Sequence, residues 1–160
     1  MLDSAVISST PSAEQTLHRH REDVIRQRMD MSESRVIKAV FPAILNNHNT
    51  LFGGEALAWM DETAFIAATR FCRKPIVTVS SDKIDFKKPI PAGTMAELIA
   101  RVIYVGKTSM KVEVNIYVED MHRDHREHAI RGVFTMVAVD SELKPTKVLT
   151  DNLFELPELN

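Results

Sequence analysis

The chain has a single cysteine in 160 residues. Cys72 therefore has no partner for an intramolecular disulfide, which points to a reducing compartment. No charge sign predominates either. A formal net charge of -2 and an isoelectric point near 6.3 supply no global reason to bind nucleic acid or an anionic membrane. Any anionic ligand must then be held by a local patch. The opening stretch, MLDSAVISSTPSAEQTLHRHRED, has no charged n-region followed by an apolar h-region and no small-residue cleavage site. A cytoplasmic location is expected. A long unbroken apolar run is also lacking. Phe52 to Cys72 comes nearest, but Glu55, Asp61, Glu62 and Arg70 interrupt it, and each would cost a few kcal/mol at a bilayer centre. No internal repeat is visible.

What is present is 44% hydrophobic content in a length that suits one domain. Residues 1–12, rich in Ser, Thr and Pro, read as a disordered arm, and residues 13–160 as a single domain. A polar helix is expected from Ser12-Ala13-Glu14 to about Asp30. "SESRVIKAVFP" reads as a first strand stopped by Pro42, and the loop "AILNNHN" leads into a long apolar helix. Beyond Pro75 the period changes. "IVTVSSDKIDF", "TMAELIARVIYVG", "TSMKVEVNIYVED" and "EHAIRGVFTMVAVD" alternate apolar with polar residues and are separated by turn signals. They read as four strands joined in a meander. No connection is long enough for a helical crossover, so the sheet should be antiparallel. The fold class is α+β: an antiparallel sheet of about five strands wrapped around a long central helix, with an extra N-terminal helix.

The chemistry concentrates in "NNHNTLFGGEALAWMDETAF", residues 46–65. At 100° per residue, Glu62, Thr69, Ile66, Trp59 and Arg70 fall with Glu55 in one sector of roughly 100°. Asp61 lies about 120° away, among Leu57, Phe65, Ala68 and Cys72. A carboxylate in such a sector is expected to be desolvated, with its pKa pushed upward. Two readings stay open: Asp61 is satisfied structurally by a strand or loop amide, or it is functional. Gly53 and Gly54 permit close backbone approach, and the helix N-terminus offers unpaired N–H groups and a positive dipole end. Such an end can polarise a carbonyl or hold an oxyanion. From there to Asp61 is about two turns, some 10 Å, room for a thioester-sized group if a second chain supplies half of the site.

Three motifs in order, "NTLFGGEALAWMDETAF", "VTVSSDKIDFKKPIPAG" and "VGKTSMKVEVNIYVE", resemble the hotdog-fold acyl-CoA thioesterases over residues 35–139. The resemblance implies hydrolysis of acyl-CoA thioesters at sites built from two chains, in a homodimer or a dimer-derived tetramer or hexamer, with no cofactor and no metal. It places the catalytic residue either seven residues after the second Gly, which is Asp61 here, or three residues before the first, which is Thr50 here with Asn49 beside it, so either Asp61 carries the chemistry or Asn49 takes the role through a one-residue shift. The scheme expected is that Gly54 N–H polarises the carbonyl, Asp61 activates water or attacks directly, and Asn49 or Thr50 orients the reactants, with Asn49 the stronger of the two. Phe52, Gly53, Ser80, Ser81, Lys107, Thr108 and Ser109 are the expected substrate contacts. Lys107 is the first candidate for a CoA phosphate, with Lys87, Lys88 and Arg101 as further ones.

Other patterns are weaker. "HRDHREH" spaces His122, His125 and His128 three apart, but at a strand junction, and reads as a solvated hairpin. Met60, Met95, Met110 and Met136 read as core. Two alternatives to hydrolysis are open. A hotdog hydratase or dehydratase would need a catalytic His, for which His48 is the loop candidate. A non-catalytic acyl-CoA-binding module would release no thiol.

Overall fold

A computed structural model describes residues 10–154. The first nine residues of the arm expected to be disordered lie outside them. Helix α1 (Ala13–Ser32) begins where the sequence indicates: Ser12 Oγ accepts from Gln15 N–H at 3.2 Å, and Gln15 Oε1 accepts from Ser12 N–H at 2.9 Å. This reciprocal pair satisfies two donors that a helix start otherwise leaves unpaired. Its other end is capped from a distance. The Arg70 guanidinium donates to the carbonyls of Met31 (2.8 Å) and Glu33 (2.6 Å) and to Ser34 Oγ (3.0 Å).

Strand β1 (Ser34–Ala39) leads through a short 3-10 turn to α2 (Gly53–Cys72). Then follow β2 (Ile76–Ser81), β3 (Asp85–Phe86), β4 (Thr94–Val105), β5 (Ser109–Asp120) and β6 (Arg126–Ala138). All pairings are antiparallel, in the order β1-β4-β5-β6-β2, with β3 beside β6. The sheet thus has six strands, and only β4, β5 and β6 form the expected meander. β2 pairs with β6 instead of β4. The reason is the connection after β2, which is long enough to carry β3 and cross the sheet before β4 begins; hairpin adjacency holds only for the two tight turns that follow.

Alternation along the strands turns Ala96, Leu98, Ala100, Val112, Val114, Ile116 and Met136 inward, where they share one core with Met60, Ala64, Ala67 and Phe71 of α2. Small residues on both sides bring the helix close to the sheet. Gly132 marks the tightest point: a Cβ there would lie 2.5 Å from Ile84 Cδ1 and 2.9 Å from Met60 Cε. Met110, like Met60 and Met136, is fully buried in this core, whereas Met95 near the start of β4 is only half-buried.

Glu97 alternates with the core residues of β4 and is itself buried. Its Oε1 accepts from Arg35 at 2.9 Å and its Oε2 from Arg126 at 3.1 and 2.7 Å. The Arg126 hydrogen bonds hold its carboxyl below the usual range, against the opposing effect of burial. A depressed folded-state pKa contributes stability above the unfolded value that is lost as pH falls through the folded one. Glu97→Gln should therefore cost on the order of 2 kcal/mol at neutral pH, less than for a fully buried pair because both arginines reach solvent. The difference from wild type should shrink as pH drops below about 4. Thermal unfolding across a pH series checks this; a pH-independent gap would assign Glu97 to packing alone.

Candidate active site

The segment before α2 is a knot of hydrogen bonds centred on Asn46. Its Oδ1 accepts from His48 N–H (2.9 Å), Thr50 N–H (3.2 Å) and Thr50 Oγ1 (3.2 Å), while its Nδ2 donates to Thr50 Oγ1 (2.9 Å). Backbone bonds close the same turn, Asn46 N–H to Thr50 O at 2.8 Å and Asn49 N–H to Asn46 O at 3.1 Å. Asn49 sits at its exposed tip with φ 59°, the left-handed region that asparagine tolerates. His48 is exposed beside it. Leu51 N–H to Ile90 O (2.7 Å) then fixes the entry into α2.

Phe52 is the N-cap residue of α2 and offers no side-chain cap. The first amides of the helix, at Gly53 and Gly54, are thus left for other partners. Two exposed rings flank them: a Cβ on Gly54 would come within 3.1 Å of the Phe52 ring, and one on Gly53 within 3.7 Å of the Phe86 ring. The glycines keep this end of the helix approachable.

Two clefts meet at this helix end. One, about 300 Å3, is lined by Asn46, Thr50, Gly53, Phe86, Lys87 and Lys88 over an apolar floor that includes Leu51, Ile90 and Ile130. The other, about 490 Å3 and wide open, runs along α2 and β2 and is lined by Gly54, Ala58, Asp61, Thr78, Ser80 and Ser81, with Phe134 beneath. In it Thr78 Oγ1 donates to Asp61 Oδ1 at 2.7 Å. A bulge between Thr78 and Ser80 in the pairing with β6 leaves Val79 exposed.

The expected desolvation of Asp61 is not found within one chain. Asp61 is half-buried, and Gly54, Ala58 and Phe65 on the same stripe are exposed, whereas Trp59, placed by the helical wheel in the polar sector, is buried beneath Lys38. The wheel has the periodicity right but cannot tell which side the sheet covers. The stripe through Gly54, Ala58, Asp61 and Phe65 runs beside β2, the last strand of the sheet, and among the described residues no element covers it.

Of the residues singled out in the sequence, Gly54, Asp61, Ser80 and Ser81 share the open cleft, and Thr50 and Gly53 share the smaller one. Lys107 lies in neither; it lines a third cleft of about 310 Å3 with Arg21, Lys147 and Asp151. Asn46 and Thr78 were not singled out. Alternation places Thr78 on the same side of β2 as Ser80, and Asn before a tight turn is a familiar signal, but neither reveals the partner side chain. His122 and His125 are exposed around the β5–β6 hairpin, while His128 faces Asn115 on the neighbouring strand.

A long helix enclosed by an antiparallel sheet of this order defines the hotdog class. The thioesterase superfamily model matches residues 48–124. The chain is 44% identical over 118 residues to the Bacillus subtilis protein named uncharacterized acyl-CoA thioester hydrolase YkhA, covering 72% of this chain and 69% of that one. It therefore belongs to the acyl-CoA thioester hydrolases of the thioesterase superfamily. Among solved structures, an acyl-CoA hydrolase from Staphylococcus aureus, in complex with butyryl-CoA, CoA and CoA disulfide, aligns with a TM-score of 0.72 at 38% identity, over 74% of this chain and 73% of that one. Three alanine variants of that enzyme replace an asparagine, an aspartate and a threonine, fifteen and seventeen residues apart in that order. The hexameric thioesterase y2039 from Yersinia pestis aligns with a TM-score of 0.67 at 30% identity, over 72% of this chain and 93% of that one.

Proposed function

We propose that the chain hydrolyses acyl-CoA thioesters at a site shared by two copies of itself, with Asp61 and Thr78 from one and Asn46 and the Gly53-Gly54 helix end from the other. The observation that carries this reading is the Thr78–Asp61 hydrogen bond at the edge of an open cleft. The spacing of the Staphylococcus aureus variants supports it, because Asn46, Asp61 and Thr78 are separated by the same two intervals.

Within one chain Asp61 lies seven residues, about 10 Å along the axis, from Gly54; a second copy docked on the exposed stripe brings its own carboxylate within reach, through one water, of a carbonyl held at that helix end. A twofold axis beside the exposed stripe sets the Gly54 end of one helix against Asp61 of the other, and the same contact buries the β2 edges and exposed Val79 and Phe65. Docking removes water from Asp61, which supplies the desolvation that the single chain lacks.

The chemistry follows from what each group can donate or accept. The Gly54 N–H and the helix dipole draw charge onto the thioester oxygen. Asn46 uses one Nδ2 hydrogen within its turn and presents the other to the cleft, where it donates to the carbonyl or to the water's oxygen. Thr78 fixes the Asp61 carboxylate through Oδ1, leaving Oδ2 to take a proton from water as its oxygen attacks carbon. The tetrahedral intermediate then collapses with loss of thiolate, a good leaving group. Asn49, named from the sequence, gives way to Asn46 in this scheme, because Asn49 points from the tip of the turn. Thr50 holds Asn46, Phe52 and Gly53 shape the entry, and Ser80 and Ser81 line the cleft. Lys107, Thr108 and Ser109 take no part at the reacting bond.

The test is thiol release from a panel of saturated acyl-CoAs. Turnover of at least one chain length is expected, with kcat in the ordinary range of about 1–10³ s⁻¹. Binding without thiol release would establish the non-catalytic alternative, and hydration of an enoyl-CoA without CoA release the hydratase.

A further inference from the structure

Two cations, Lys87 and Lys88, share a cleft with Asn46 and the helix entrance, and Lys88 is paired with Glu127. Their segment is pinned from below: the bulge between Ile116 and Tyr117 in the β5–β6 pairing frees Ala129, whose carbonyl accepts the N–H groups of Lys87 (2.8 Å) and Lys88 (3.1 Å). The Lys87 ammonium is held as well. Lys87 Nζ lies 3.3 Å from His128 Nδ1, and His128 Nε2 lies 2.8 Å from Asn115 Oδ1. The orientation of Asn115 is set by its Nδ2, which donates to Glu113 Oε1 at 3.0 Å, and Glu113 Oε2 is in turn held by Arg131 at 2.9 and 2.6 Å. With Asn115 Oδ1 turned to the ring, the imidazole proton belongs on Nε2, and Nδ1 keeps the lone pair that Lys87 donates to.

This wiring is unusual for a surface lysine. Lys83 and Lys88 have carboxylate partners, Asp85 and Glu127, whereas among the described residues no carboxylate pairs with Lys87. A neutral acceptor fixes the ammonium without cancelling its charge. Burial, followed by Lys87 itself, pushes the His128 pKa down, so the ring stays neutral at physiological pH. The result is an ordered, uncompensated positive charge beside a narrow cleft. At about 300 Å3 that cleft is at the small end of ligand sites: it admits a slender arm and leaves a nucleotide outside, beside the lysine.

We propose that Lys87, positioned by His128, binds a phosphate of the CoA carrier while the pantetheine arm occupies the cleft leading to Gly53. The assignment rests on the acyl-CoA reading above. Lys107 is the less suitable cation, since its cleft contains Asp151 and none of the residues around the helix entrance.

Calorimetric binding of CoA and of pantetheine, which lacks every phosphate, tests it without relying on turnover. Lys87→Glu should weaken CoA about tenfold, leave pantetheine unchanged and flatten the salt dependence of CoA binding. His128→Phe, which removes the acceptor but keeps a ring, should weaken CoA about threefold and again spare pantetheine, as expected of a positioning residue. Lys144→Ala, an exposed lysine outside the three clefts, should change neither. An unchanged CoA affinity in Lys87→Glu, or an equal loss for both ligands, overturns the assignment. The two readings fail separately: no thiol release with the CoA-specific loss intact removes the hydrolase, whereas normal turnover with unaltered CoA binding in Lys87→Glu removes only the phosphate subsite.

Discussion

Asp61→Asn should lower kcat by roughly 10²- to 10⁴-fold, or about 3–5 kcal/mol of barrier, while leaving the fold intact. The substitution keeps the shape of the side chain, and an amide oxygen still accepts from Thr78 Oγ1 as Asp61 Oδ1 does now. What disappears is the basic site for the proton of the attacking water. KM should change little, because the carboxylate contributes to the transition state and not to uniform binding. Glu62 next to it is exposed, and Glu62→Gln is the control that alters charge on the same turn without touching the cleft. The opposite pattern, a shifted melting temperature with kcat retained, would make Asp61 a structural partner of β2.

Asn46→Ala should lower kcat by about 10- to 10³-fold through loss of a donor to the carbonyl or the water. Alanine also removes the acceptor of three loop hydrogen bonds, so it costs about 1–2 kcal/mol of local stability, and part of the rate loss could then come from a loosened turn. Asn46→Asp separates the two effects. It keeps an oxygen for His48 and Thr50 but has no amide N–H to offer, so the turn should persist and the rate should stay low. Asn49→Ala, at the exposed tip, should lose much less. Kinetics with hydrogen exchange of the 46–50 amides measures both. Recovery of full rate in Asn46→Asp would confine Asn46 to loop structure.

The sequence carries the central helix clearly, because a polar Gly-Gly entry followed by twenty apolar-rich residues leaves little choice. It also carries the alternation of β4, β5 and β6, whose tight turns enforce adjacency. The position of β2 was not legible. A strand that leaves through a long connection can take either edge, and only packing against α2 decides between them. The same limit applies to the site. Asp61 is visible because a carboxylate interrupts an apolar helix, yet its partner Thr78 depends on the rotation of α2 over β2. Asn46 was hidden by its neighbours: "NNHN" offers three asparagines, and only the folded turn shows which one points inward. The exposure of Asp61 was unreadable for a different reason. A helical wheel gives angles around one helix, and it does not show that the described elements leave this stripe uncovered.

That missing cover is the centre of the proposal, and subunit complementation tests it most directly. Asp61→Asn and Asn46→Ala chains, each nearly inactive alone, are co-refolded in equal amounts, and thiol release is measured. If the two groups act across the twofold axis, half of the dimers pair one variant with the other. Each of these carries one site with an intact Asp61 and an intact Asn46, so activity should return to about a quarter of the wild-type value. A mixture no more active than the mean of its two components would contradict the shared site and place the whole of the chemistry within a single chain.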